Sequence, residues 1–271
     1  MPELPEVEIV CRELRASSIN FTIKNHYYSG KKFKRLVPNI SDLVGQTIKN
    51  IYRRNKYIVF ELNDYWLIFH LGMTGRLILK NEHVIKKHEH LILYNESNDG
   101  IFFEDPRRFG SIDLFKKQEF ISYLNIPLFD TLGYEPLDKS FSFEKFVKLL
   151  NNKVNIKKFL MDAKYVCGIG NIYACEILFL SNVSPLRLTS SLSKNEQKNI
   201  YENIKKVLQK AIDLGGSSIS DFVHTNGAKG EMQNFYKVYG LVNKPCSVCS
   251  TDINRINQNG RGTYFCSICQ K

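Results

Sequence analysis

Two groups of residues in this chain could do chemistry by their type and spacing. Near the C-terminus, Cys246-x-x-Cys249 and Cys266-x-x-Cys269 are separated by 16 residues, inside the roughly 15 to 20 expected between the two halves of a four-thiolate zinc site. Each Cys-x-x-Cys turn aims two sulfurs at one ion, so the pattern predicts one closed, tetrahedral, structural Zn2+ with no position open to water. A redox dithiol would need one such motif beside a βαβ unit, which this tail lacks. The other cysteines, Cys11, Cys167 and Cys175, read as small buried residues. Arg255, Arg261 and Tyr264 lie between the two pairs, so the finger can offer basic side chains to a phosphate or a groove, or serve a protein partner.

The second group is the N-terminus, Met1-Pro2-Glu3-Leu4-Pro5-Glu6. Removal of Met1, usual before a small residue, leaves Pro2 as a secondary amine at the start of a helix. A free α-amine is already partly neutral and nucleophilic at physiological pH. Its attack on an aldehyde-level carbon gives an iminium ion directly, and an adjacent carboxyl can protonate the departing oxygen. The positive end of the helix favours the neutral amine, whereas Glu3 and Glu6 favour the charged one. The same residues also make an ordinary helix opening.

The elements that must position these groups follow from periodicity. Val7, Ile9, Val10 and Leu14 recur at near-helical spacing over residues 3 to 17, with Glu early and Arg12 and Arg15 late, which suits the helix dipole. Short strands are expected at Tyr57 to Leu62, Trp66 to Leu71, Arg76 to Leu79, His90 to Tyr94, Ile101 to Glu104 and Ser111 to Phe115, as an antiparallel meander folded into a sandwich or barrel. Helical patterns follow around 143–151, 156–162, 171–180 and 194–213. The expected domains are 1–130, a linker at 131–140, a helical domain at 141–234 and a zinc finger at 235–271.

With 271 residues and 43% hydrophobic content the chain can bury a real core. Lys and Arg number 38 against 27 Asp and Glu, a net charge of +11, which points to a polyanionic partner. No apolar run is long enough to span a bilayer, and three Glu in the first ten residues argue against a secretory signal. A reducing cytoplasm is therefore the expected compartment.

Met1-Pro-Glu-Leu-Pro-Glu-Val-Glu8, His70-Leu-Gly-Met-Thr-Gly75, Asp105-Pro-Arg-Arg-Phe-Gly110, Gly168-Ile-Gly-Asn-Ile-Tyr173 and the four-cysteine tail, in this order, resemble the bacterial formamidopyrimidine-DNA glycosylases. The resemblance runs from residue 2 to residue 270. It implies an α+β multidomain protein: an N-terminal antiparallel β-sandwich with flanking helices, then a C-terminal helix-two-turns-helix domain with a four-cysteine zinc finger, and DNA bound across the cleft. By that resemblance Pro2 is the nucleophile that attacks C1′, and Glu3 is the acid that assists sugar-ring opening. Lys56 binds phosphate and moves a proton in β-elimination, and Arg261 holds phosphate and supports δ-elimination. Met73, Arg107 and Phe109 match an intercalating triad that fills the space of a flipped base and kinks the duplex. His88, Asn171 and Lys153 match phosphate-contacting positions, while Glu6 and Lys157 are candidates for the base pocket. Taken as residues alone, Met73 and Phe109 could be core, and Lys56 an exposed strand lysine. His70, His88 and His90 could suggest a second metal, but no carboxylate or cysteine partner is evident.

The implied partner is double-stranded DNA containing oxidised bases or abasic sites, handled by a monomer without a membrane. Oxidised purines are the expected lesions. An endonuclease VIII-like preference for oxidised pyrimidines, and a non-catalytic zinc-dependent DNA-binding protein, are the alternatives. The chain departs from the family pattern at Gly230-Glu231-Met232, where an aromatic pair often follows the glycine of a loop, Ser217 to Gln233, that covers the flipped base. It departs again at Ser250, where Gly is preferred after Cys249, and at Leu241, where a basic residue is common.

Overall fold

Helix α1 (Leu4–Ser18) begins where Glu3 and Glu6 close a reciprocal capping box, with proline in the first turn. Val7, Val10, Cys11 and Leu14 form its buried stripe. That stripe packs on a sandwich of two antiparallel sheets. One has the order β1 (Asn25–Tyr28), β6 (Glu89–Tyr94), β7 (Gly100–Glu104), β5 (Arg76–Lys80), and the other β2 (Asn50–Arg54), β3 (Tyr57–Glu61), β4 (Tyr65–His70), β8 (Ser111–Lys116). Alternate residues such as Ile58 and Phe60, Leu67 and Phe69, Leu91 and Leu93, and Ile101 and Phe103 meet in one core. The connectivity is not a simple meander: the chain leaves the second sheet after β4, builds the first with β5 to β7, and returns to pair β8 with β4. β1 and β2 were not expected from sequence. Neither shows a clean apolar alternation, because β1 is half-exposed and β2 carries Arg53 and Arg54.

The structure is a computed structural model and describes residues 1–81, 84–150, 153–218 and 222–271. It forms two compact units, Met1–Asp130 with Gly215–Glu231, and Thr131–Leu214 with Met232–Lys271. The second unit contains α2 (Phe143–Leu149), α3 (Ile156–Met161), α4 (Asn171–Leu180), α5 (Lys194–Asp213) and a hairpin of β9 (Asn254–Gln258) and β10 (Arg261–Phe265). No helix among the described residues is long and apolar enough to cross a membrane.

Two segments lie elsewhere than the sequence boundaries suggest. Residues 131–140, read as a linker from their Gly and Pro content, belong to the second unit. Gly133 N donates to Ala163 O at 2.9 Å, and Cys167 N donates to Tyr134 O at 2.8 Å. Residues 215–231, read as part of the helical domain, pack with the first unit. There Phe222 joins the sandwich core, and Leu79 N donates to Thr225 O at 3.2 Å. Both assignments rest on long-range hydrogen bonds that local composition does not encode.

Candidate active site and zinc centre

In the first unit, Pro2 and Glu3 are both buried. With Met1 attached, the Pro2 nitrogen is an amide and cannot act as a nucleophile; its release as an amine requires loss of Met1. Glu6, 2% exposed, uses its two carboxylate oxygens in two directions. Oε2 accepts from Glu3 N at 2.9 Å, and Oε1 accepts from Ser217 N at 2.8 Å. It is therefore not a solvated helix-start glutamate, but the tie between the reactive end of α1 and the 215–231 segment. Gly216, at φ +75°, permits this close approach, since a Cβ there would lie 3.1 Å from Glu6 Oε1, and Gly230 lets the segment close on itself, since a Cβ there would meet the carbonyl oxygens of Gly215 and Gly216 at 2.2 and 2.3 Å. Of the loop 217–233 singled out from sequence, Ile219, Ser220 and Asp221 lie outside the described residues.

Lys56 sits in the tight turn joining β2 to β3, after Asn55 at φ 54°, rather than within a strand. Its ammonium is one of the charges acting on His70. Burial first, then Lys56, Arg35 and Lys34, bring the His70 imidazole down to about 4, so the ring is neutral at physiological pH. His70 Nδ1 accepts from Gly72 N at 3.0 Å, which fixes the tautomer with hydrogen on Nε2.

Met73 and Phe109 are exposed, 41% and 47%, so both are loop-tip side chains and not core. The Arg107 guanidinium lies 4.6 Å over the Phe109 ring. What holds these tips together is Asp105, a residue given no role by sequence and fully buried. Its Oδ1 accepts from Thr74 Oγ1 at 2.5 Å and Arg107 N at 3.3 Å, and its Oδ2 accepts from Gly110 N at 2.8 Å. Gly72, at φ +60°, lets the loops interlock, since a Cβ there would lie 2.5 Å from the Phe109 carbonyl carbon. The loop bearing Met73 and the loop bearing Arg107 and Phe109 are thus one assembly organised by a buried carboxylate. His88 is exposed just before β6, and its carbonyl accepts from Asp105 N at 3.0 Å. His90 is buried, with its nitrogens 3.1 Å from Ser29 Oγ and 3.0 Å from Asp105 O. Among the described residues the four cysteines are the sole group that could hold a metal, and the histidines do not form one.

In the second unit, all four sulfurs of Cys246, Cys249, Cys266 and Cys269 lie within 4.8 Å of one another. Cys246 and Cys269 are 3.8 Å apart, and Cys249 and Cys266 3.4 Å. Tetrahedral zinc with bonds of about 2.3 Å requires sulfurs roughly 3.8 Å apart, so the donor set fits one structural Zn2+. Hydrogen bonds from Thr251 bring the Cys249 thiol down to about 6, while burial raises Cys266 and takes Cys269 up to about 12. The charge of a bound Zn2+ would hold all four as thiolates.

Lys157 is almost wholly buried and engaged in hydrogen bonds. It is 2% exposed, and its Nζ donates to Asn171 Oδ1 at 2.6 Å and Thr263 Oγ1 at 2.7 Å. Asn171 Nδ2 in turn donates to Gly262 O at 2.9 Å. Lys157 and Asn171 therefore fasten α3 and α4 to β10, next to the exposed Arg261. Arg261 shares a cavity of about 320 Å³ with Lys157, Lys158, Met161 and Gln258. Lys153 is exposed, beside Asn151 and Asn152, which lie outside the described residues. Glu176, the one charged residue of α4, was also missed from sequence. Its buried carboxylate accepts from Lys237, Val238 and Tyr239 N at 2.8, 3.0 and 2.8 Å, anchoring the approach to the finger. A lone acid in an apolar helix was the available signal.

Three family models match the chain: the formamidopyrimidine-DNA glycosylase N-terminal domain over residues 1–112, the formamidopyrimidine-DNA glycosylase H2TH domain over 132–223, and a zinc finger found in FPG and IleRS over 243–271. A formamidopyrimidine-DNA glycosylase of Wolbachia sp. subsp. Drosophila simulans is 41% identical over 275 residues, covering 100% of both chains. A Lactococcus lactis FPG variant in complex with Fapy-dG-containing DNA superposes with a TM-score of 0.90 at 36% identity, again over 100% of both chains. The wild-type Lactococcus lactis protein bound to DNA with an oxidised pyrimidine gives a TM-score of 0.89 at 35% identity and the same coverage. This chain belongs to the formamidopyrimidine-DNA glycosylase family.

Proposed function

We propose that this chain is a base-excision repair glycosylase that removes oxidised purines, 8-oxoguanine and formamidopyrimidines, from duplex DNA and then cleaves the strand as an AP lyase by β,δ-elimination. The observation that carries the reading is the N-terminal constellation in a chain of this family, with Pro2 beside a buried Glu3 at the positive end of α1. Once Met1 is removed, the Pro2 amine attacks C1′ of the damaged nucleotide. The C1′–N bond breaks, its electron pair leaves with the base, and the base takes up the proton that the Pro2 nitrogen sheds on bonding to C1′. Glu3 protonates the ring oxygen as the sugar opens, leaving an iminium between Pro2 and C1′. β-Elimination then takes a proton from the sugar and expels the 3′ phosphate, with Lys56 as the proton-transfer and phosphate-binding group. Arg261 holds phosphate for the δ step.

The target base must leave the stack, at a cost of a few kcal/mol. Exposed Met73 and Phe109, with Arg107 stacked on the latter, are suited to fill the gap and wedge the duplex. His88, Lys153 and the N-terminus of α4 at Asn171 supply phosphate contacts. Because the Asn171 side chain is bonded to Lys157 and Gly262, its part in that contact is to position backbone and hairpin. Glu6 organises the base pocket through the 215–231 segment. The likeness to a relative solved with oxidised-pyrimidine DNA favours a second activity on such lesions. The working form is a cytoplasmic monomer.

Borohydride trapping on a duplex with 8-oxoguanine opposite cytosine, using protein shown to begin at Pro2, tests the reading. A covalent adduct mapped to Pro2 and absent in Pro2→Gly is expected. Tight binding without an adduct or base release would leave a DNA-binding protein and overturn the enzyme, and equal activity of Pro2→Gly would overturn Pro2 as its nucleophile.

A further inference from the structure

The 215–231 segment is held on α1 by two glutamates. Glu6 accepts from Ser217 N, and Glu13 Oε2 accepts from both the backbone N and Oγ1 of Thr225, each at 2.8 Å. His224 stands between these ties. Its Nδ1 lies 2.7 Å from Glu13 Oε1, and its Nε2 lies 2.8 Å from the carbonyl oxygen of Gly215. A carboxylate and a backbone carbonyl can only accept, and a neutral imidazole has one N–H and one lone pair. Meeting both contacts takes both ring protons. Thr225 donates both its N–H and its hydroxyl to Glu13 Oε2, which favours the ionised carboxylate over the protonated acid. Phe222 offers a ring with its centroid 5.8 Å away, and β5 reaches the segment through the Leu79 amide. Among the described residues Glu13 is the one acidic group within ion-pair distance of this ring.

We propose that His224 is an imidazolium and a positioning residue, a proton-dependent latch that fastens the 215–231 segment to the helix carrying Pro2 and Glu3. With both protons it joins the Gly215 turn to Glu13 in the middle of α1. With one proton, a lone pair faces an acceptor on one side and that tie is lost. The segment is therefore fastened while the ring carries both protons and loosened when it loses one. Its consequence for base release rests on the glycosylase reading above, whereas the latch itself does not.

Nitrogen-15 NMR of the histidine rings in the full chain decides the protonation directly. Protons on both His224 nitrogens at neutral pH are expected, as is a neutral ring in Glu13→Gln. Amide hydrogen exchange at Thr225, corrected for intrinsic rate, should accelerate on the order of tenfold as the ring deprotonates, the size of one lost charge-assisted hydrogen bond. In His224→Gln the exchange should be fast already and insensitive to pH. A neutral His224 ring at neutral pH, or the same pH response in wild type and His224→Gln, overturns the proposal. The pH profile of base release, compared with incision of a preformed abasic site, reads out the functional consequence. Failure of Pro2 trapping on lesion DNA would remove the glycosylase reading, while the latch would still stand or fall on the ring protonation seen by NMR.

Discussion

Replacing Asp105 by Asn isolates what the buried carboxylate does for the two exposed loops. Asp105 is fully buried and accepts from Thr74 Oγ1, Arg107 N and Gly110 N. An amide has one acceptor oxygen and one NH2 group. Turned one way its NH2 faces the Gly110 N–H, which loses its acceptor, and turned the other it faces Arg107 N, which keeps only its 3.3 Å bond to Thr74 Oγ1, so in either orientation a backbone donor meets a donor where the carboxylate oxygen stood. An unsatisfied buried donor costs about 1–3 kcal/mol, and the surviving bonds lose their charge assistance, so a loss of about 2–4 kcal/mol is expected. At roughly 2–4 °C per kcal/mol for a unit of this size, Tm should fall by about 5–15 °C. Thr74→Val removes one of the three donors and should cost about half as much. The double variant should be less destabilised than the sum of the two, by about 1 kcal/mol or more, because both act on one network. Thermal denaturation gives these values, and excision kinetics on lesion DNA should rank the variants in the same order, since Met73, Arg107 and Phe109 ride on the loops. An unchanged Tm in Asp105→Asn, or strictly additive losses, would refute this role for the carboxylate.

Acid should destabilise the fold through His70, whose imidazole is brought down from 6.5 to about 4. Between these values the unfolded chain binds a proton that the native ring refuses, so stability falls as pH drops from about 6.5 toward 4, by up to about 3 kcal/mol. Denaturant titrations should show this slope reduced in His70→Asn, and an unaltered slope would remove His70 as its source. Chelation of zinc should abolish DNA binding and lower the calorimetric transition of the second unit, because Cys246 and Cys266 are part of a core with Phe179, Val238 and Ile253; elemental analysis should find one zinc per chain. Ser250 adopts φ 61°, the left-handed region that favours glycine, so Ser250→Gly should raise stability by about 0.5–1 kcal/mol, measurable by the same calorimetry.

Much of this architecture was legible in residue patterns. Six strands of the sandwich, α1 and the helices of the second unit carry strong periodicity, and the Cys-x-x-Cys spacing fixed the metal site before any fold was known. The losses have physical causes. β1 gains its stability from a partner distant in sequence, as in His26 on Leu93, and β2 from the hairpin that sets Tyr52 on Val59, and neither from its own alternation. Lys157 looked like a free cation, but its burial depends on Asn171 and Thr263, 14 and 106 residues away. Asp105 lay inside a motif quoted for its arginines and phenylalanine. Nothing local distinguishes a carboxylate that meets solvent from one that collects three donors. Ser250 is the reverse case, since the departure from glycine was visible in sequence and its backbone conformation shows why glycine suits the position.

The first unit is not a continuous stretch of chain: it is completed by Gly215–Glu231 after the polypeptide has passed through Thr131–Leu214. A ribosome exposing the N-terminal 130 residues has made the whole sandwich but neither Ser217 nor Thr225, the partners of Glu6 and Glu13. The reactive end of α1 therefore stays unfinished until nearly the whole protein has been synthesised. Truncation after residue 130 would yield a sandwich lacking Phe222 from its core, and gene rearrangement cannot transfer the catalytic unit as a single exchangeable segment.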